Sequence, residues 1–181
     1  TEGGMGLGPY LAPRLVGRGG AAALGSDTTC YAQADILGEA RALLQAERRD
    51  AAVTAGGIPQ EVLPARTALE LATSIGARAV GLQDEVGSLT PGKRANITVV
   101  LPDPVRARPG IDPVATLVHY TGSADVETVL VDGEIRKRSG RLVGIDTADL
   151  ARRCAESFDA IRGRYEALPA DVVEGAWRGI F

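Results

Sequence analysis

Apolar and polar positions change period along the chain, and those changes divide it into elements. Residues 1–8 carry Gly3, Gly4, Gly6 and Gly8 and read as a loop. Leu11, Leu15 and Val16 give 9–17 a partial apolar stripe, which predicts a short helix ended by Gly17, Gly19 and Gly20. Residues 21–25 are wholly apolar, the pattern of a buried parallel strand, although a run this short also fits a stretch of helix. Ile36, Leu37, Ala40, Leu43 and Leu44 then recur at helical spacing and predict a helix over 33–48. A polar, glycine-bearing link is expected over 50–58.

Pro64 suits the first turn of a further helix, with Ala68, Leu69, Ala72 and Ile75 as its apolar face. Gly76 is expected to interrupt it, leaving a short helical turn over 77–81. Residues 87–93 are turn-rich, and 95–101 have the β-branched content of a strand. Four prolines make 102–113 a loop, and 114–120 fit a brief helix. Residues 126–131 and 134–137 flank Asp132-Gly133, the strongest hairpin signal in the chain. From Asp146, a plausible N-cap, Leu150, Cys154, Phe158, Ile161, Tyr165 and Leu168 recur every three or four residues and predict a closing helix.

Composition then narrows the function. The chain has 181 residues, 45% of them hydrophobic, enough for a sizeable core. A net charge of −3 lacks the basic face of a nucleic-acid or membrane-surface binder. No apolar run approaches the roughly 18 residues that span a bilayer, and no signal peptide opens the sequence. Two cysteines, Cys30 and Cys154, fit a reducing cytoplasm. His119 is the single histidine, whereas a catalytic zinc site takes about three protein ligands, often rich in His. A self-sufficient zinc hydrolase is therefore not expected. The chain begins at Thr1 with its single methionine at Met5, which reads as a fragment.

Ordered motifs carry a family resemblance. Gly87-Ser88-Leu89 followed by Gly92-Lys93-Arg94-Ala95-Asn96-Ile97-Thr98-Val99-Val100 resembles the G-S-L-x-P-G-K-x-A-D-hydrophobic segment of the amidohydrolase superfamily, particularly its cytosine-deaminase-like, chlorohydrolase and aminohydrolase members. Ala72-Thr73 with Gly76-Ala77-Arg78-Ala79-Val80-Gly81-Leu82 matches the helix pair before that segment, and Val129-Leu130-Val131-Asp132-Gly133 the closing hairpin. Ala23-Leu24-Gly25-Ser26-Asp27 is similar to the end of the eighth barrel strand.

The resemblance implies an α/β fold: the last strand and helices of a (β/α)₈ metal-dependent hydrolase barrel, plus C-terminal strands of a small β-sandwich. A barrel alone takes roughly 250 residues, so this would be part of the full fold. Residues 1–82 would be barrel, 83–145 sandwich strands and hairpin with a short helix at 113–120, and 146–181 a C-terminal helix and tail. By position alone Asp27 reads as a turn or N-cap aspartate. The resemblance makes it both catalytic residue and metal ligand, binding a divalent zinc or iron in the intact protein and moving protons of the metal-bound water. The chain by itself is expected to hold no metal tightly and to be inactive.

The implied activity is hydrolysis of C–N or related bonds in a small heterocyclic or amidine-like substrate, by deamination. The implied partners are that substrate and either further copies of the chain or a missing N-terminal part, with no nucleic acid and no membrane. The family's Ser-Asn-Asn-like loop is replaced by Thr28-Thr29-Cys30-Tyr31-Ala32-Gln33. Cys30 is expected to be an inert pocket residue, because no base lies near it in sequence. Glu2 and Met5 fall by resemblance near the substrate mouth, with a loose chain end the simpler reading. His119 is expected to be structural, Lys93 and Arg94 turn charges, and Trp177 and Phe181 apolar anchors. The competing reading is a non-catalytic α/β module for assembly or binding.

Overall fold

A computed structural model describes residues 8, 10–29, 33–108 and 110–177. It is a mixed α/β chain that divides into two compact units, one ending at Arg141 and the other beginning at Leu142.

The first unit opens with α1 (Ala12–Val16), with Pro13 in the first turn, where its missing N–H costs nothing. Residues 21–25, expected as a strand, make no ladder, and the sheet contains none of them. A parallel strand gets all its backbone bonding from neighbouring strands, and the described residues supply none there. Leu24 instead packs on the helical core.

Helix α2 (Ile36–Ala55) starts at Asp35 and runs past the expected end at 48. Ala51, Ala52 and Ala55 sustain it through the supposed link, until Gly56 terminates it in the left-handed conformation (φ 63°). Pro64 lies just before α3 (Ala65–Leu71). The break before α4 (Ser74–Ala79) falls at Thr73 rather than at Gly76, which lies inside α4. Glycine is needed there because a Cβ would lie 2.6 Å from the Leu71 carbonyl oxygen; it would also touch the Ala23 side chain at 3.6 Å.

Strand β1 (Ile97–Val100) is followed by the proline-rich loop and α5 (Pro113–Tyr120), capped by Asp112. A 3₁₀ turn, Ser123–Asp125, leads into β2 (Val126–Val131), β3 (Glu134–Arg138) and the short β4 (Arg141–Leu142). The sheet order is β1-β2-β3-β4, with β1–β2 and β2–β3 antiparallel. Asp132 and Gly133 form the hairpin turn at φ 54° and 82°, as their residue types favour. Arg94 grips Asp132 with two hydrogen bonds of 3.1 and 2.8 Å, and Asn96 Oδ1 accepts from the Asp132 amide at 2.7 Å.

Ala40, Leu43, Leu44, Ala68, Leu71 and Val118 are fully buried, so α2, α3 and α5 hold the core. In the second unit α6 (Thr147–Glu166) is capped by Asp146, which accepts from the amides of Ala148 and Asp149. Its apolar stripe stays exposed among the described residues, and Arg152 and Arg162 pair with acids one turn away. Helix α7 (Ala170–Trp177) lies where a tail was expected. No described helix is long and apolar enough to cross a membrane.

Candidate active site

Asp27 is exposed and holds φ 50°, in the left-handed region that aspartate tolerates better than most residues. It ends a segment anchored at both its start and its middle. The Gly20 amide donates to the Leu15 carbonyl at 2.9 Å, and Arg78 Nη2 donates to the Gly20 carbonyl at 3.2 Å. Leu24 rests on the core, and Ala23 faces the bare backbone of Gly76. The stretch therefore lies against the helices, with Asp27 at its end.

Eight residues further on, Asp35 makes two contacts with two oxygens. Oδ1 accepts from the Leu37 amide at 3.0 Å and caps α2, while Oδ2 accepts from the Ser123 amide at 3.1 Å. On the next turn and a half of α2, Arg41 Nε donates to the Val118 carbonyl at 3.1 Å and Nη2 donates to the Thr121 carbonyl. Asp125 is buried and takes the Gly122 amide at 2.9 Å and Arg106 Nη2 at 2.7 Å. These groups line a cavity of about 520 Å³ that also includes Gln33 and His119. A second, more apolar cleft of about 570 Å³ lies between the start of α2 and the sheet, with Leu37, Leu69, Ile97 and Val129 among its walls.

Sequence reasoning missed the Asp35–Arg41–Asp125 group. Asp35 directly before an apolar-periodic run is an N-cap signal that marks the true helix start. Its bond to Ser123, 88 residues away, leaves no trace in the sequence.

The other residues singled out from the sequence are scattered. His119 is half-buried on α5, with its ring edge-on to Tyr120 at 6.3 Å. Burial, then the charges of Arg48 and Arg41, hold its pKa below the usual histidine range. Lys93 donates to the carbonyls of Gln83 and Val86, and Arg94 joins Asp132 and Glu85, so both fasten turns together. Cys154 is exposed on α6. Glu2, Met5, Cys30 and Phe181 lie outside the described residues, and Trp177 closes α7. Among the described residues no group of three or more His, Cys, Asp or Glu side chains is placed to hold a metal ion. Asp27, a single exposed carboxylate, does not by itself make a metal site.

Known proteins resemble this chain in sequence and fold. The amidohydrolase family profile matches residues 12–136. The 5-methylthioadenosine/S-adenosylhomocysteine deaminase of Desulfitobacterium hafniense is 34% identical over 157 residues, which is 86% of this chain and 34% of that protein. The enzyme of the same name from Desulforudis audaxviator is 40% identical over 92 residues, 51% of this chain and 21% of that one. An adenosine deaminase from Xanthomonas campestris, solved with bound zinc, superposes with a TM-score of 0.63 at 28% identity, covering 71% of this chain and 28% of its own. The chain thus spans about a third or less of the length of these relatives.

Proposed function

The chain belongs to the amidohydrolase family, and from that membership we propose that it forms the C-terminal part of a metal-dependent hydrolase that deaminates a small heterocyclic substrate. In this reading the stretch ending at Asp27 is the last strand of a (β/α)₈ barrel, and β1–β4 belong to a small β-sandwich completed by other parts of a longer protein. The names of the relatives, deaminases of adenosine-type compounds, support an amino-substituted purine as substrate class. The observation that carries the reading is Asp27 itself, presented at φ 50° at the end of an anchored segment.

Asp27 is the residue here that would hold the divalent metal, zinc or iron. When bound, that ion supplies Lewis-acid polarisation and a lowered pKa for attacking water. The Asp27 carboxylate would accept a proton from the water as its oxygen bonds to the amine-bearing ring carbon and the ring C=N π pair shifts onto the ring nitrogen. It would then pass that proton to the amino nitrogen; the bond from carbon to that nitrogen breaks with its pair leaving on nitrogen, the ring C=N bond re-forms, and ammonia departs. Association with the remainder of the protein or with further copies would cover the apolar stripe on α6. A cytoplasmic setting agrees with the sparse cysteines.

The test is Asp27→Asn in the longer enzyme, with metal content measured alongside turnover. Asparagine keeps the size and removes the charge and the proton acceptor. We expect turnover to fall by about 10²–10⁴-fold even after metal is restored. Near-parental turnover at full metal occupancy would make Asp27 a turn residue only.

A further inference from the structure

The polar cavity of about 520 Å³ beside α5 is lined by two arginines and two aspartates, and they are not matched pair for pair. Arg106 meets the buried Asp125, with Nη2 at 2.7 Å from Oδ1. Asp35 commits both oxygens to backbone amides, those of Leu37 and Ser123. Arg41 is different. It is half-buried, and among the described residues its Nε and Nη2 meet only the neutral carbonyl oxygens of Val118 and Thr121, while Nη1 has no partner. A guanidinium withdrawn from water without a carboxylate keeps its demand for negative charge. Its planar fork also matches two oxygens of one anion.

His119 lines the same cavity, next to Val118 on α5. After its own burial, the charges that act on its ring are those of Arg48 and Arg41, both cationic and both on α2. The two aspartates of the lining do not figure among those charges, so the field at the ring is positive. We propose that this cavity is an anion site, taking a phosphate-type oxyanion between Arg41 and His119. Arg48 lies outside the lining and adds to the attraction. A free phosphate ion and a phosphate ester share the chemistry, and the cavity has room for either. The proposal is independent of the reading of Asp27 given above.

Because His119 is the single histidine, one imidazole signal reports on the cavity without ambiguity. In the full 181-residue chain, proton NMR follows that signal through a pH titration with inorganic phosphate or glycerol 3-phosphate added, at an ionic strength held constant with chloride. A bound anion favours the protonated ring. The titration midpoint should therefore rise with added anion and level off, with half-saturation at about 1–10 mM. The probe with the lower half-saturation tells free ion from ester. Arg41→Lys keeps the charge and loses the fork, and should raise the half-saturation about tenfold or more. Arg48→Gln removes an exposed charge from outside the lining and should raise it roughly threefold.

A midpoint that neither probe moves would overturn the proposal, and so would one that drifts without levelling off, as screening alone produces. Unchanged half-saturation in folded Arg41→Lys would overturn it too. If Arg41→Lys does not fold, Arg48→Gln decides, and parental half-saturation there overturns it.

Discussion

Gly87 offers a sharp test of how the turn after α4 packs. At φ 88° any L-residue is strained, and a Cβ would lie 2.6 Å from Ala77 Cβ, 3.0 Å from the Thr73 carbonyl oxygen and 3.1 Å from Ser74 Cα. Two of those three atoms are backbone, and the third belongs to a buried alanine on a helix, so no flexible side chain can give way. Gly92, at φ 94° with nothing within 4 Å, isolates the backbone part. Gly92→Ala should cost about 1–2 kcal/mol, the penalty of a left-handed L-residue. Gly87→Ala should add an overpacking cost of roughly 1–3 kcal/mol. With a urea m-value of about 2 kcal/mol/M, the two midpoints should differ by roughly 0.5–1.5 M. Urea titration followed by far-UV circular dichroism reports on the helices of this unit. Equal midpoints for the two variants at equal m-value would refute the close packing of the 87 turn on α4.

Leu44→Ala, in a fully buried position, should cost about 2–5 kcal/mol by the same titration, whereas Phe158→Ala on the exposed face of α6 should stay within about 0.5 kcal/mol. His119 has a lowered pKa in the folded state, so the unfolded chain takes up its proton first as pH falls. The contribution of neutral His119 is therefore complete above its ordinary value of 6.5 and is lost as pH drops toward the folded pKa. His119→Gln should flatten the dependence of the midpoint on pH in that window, and an unchanged slope would count against this assignment. Asp132→Asn breaks an exposed ion pair with Arg94 but keeps a residue suited to φ 54°, so its cost should be at most about 1 kcal/mol. A loss of 2 kcal/mol or more would mean that the pair does more than pin the hairpin.

What the sequence made legible was local. The stripe of α2, the Asp132-Gly133 turn and the Asp146 cap each depend on residues within one or two turns of one another. The run at 21–25 makes no ladder within this chain, because a strand is defined by its neighbours and none of the described residues pairs with it. The end of α2 was misplaced because polar residues at 48–50 looked like a link, while the alanines beyond them favour helix. The break between α3 and α4 was assigned to Gly76, whose absent side chain instead answers a close carbonyl. Family motifs brought Asp27 forward. Asp35 and Arg41 escaped notice, since these partners lie 77 to 88 residues away and are backbone groups that a residue of almost any type would offer.

Those long-range bonds also have a meaning for synthesis. Until Val118, Thr121 and Ser123 have left the ribosome, Arg41 and Asp35 have nothing to hold, and the face of α2 formed by Ala40, Leu43 and Leu44 waits without its full cover. At translation rates of about 5–20 residues per second, some 80 residues take roughly 4–16 s. During that interval a 20-residue amphipathic helix is offered to whatever else is nearby. The nascent chain should therefore bind holdase chaperones most strongly when elongation has passed α2 but not α5, and slow codons placed between them should prolong that dependence.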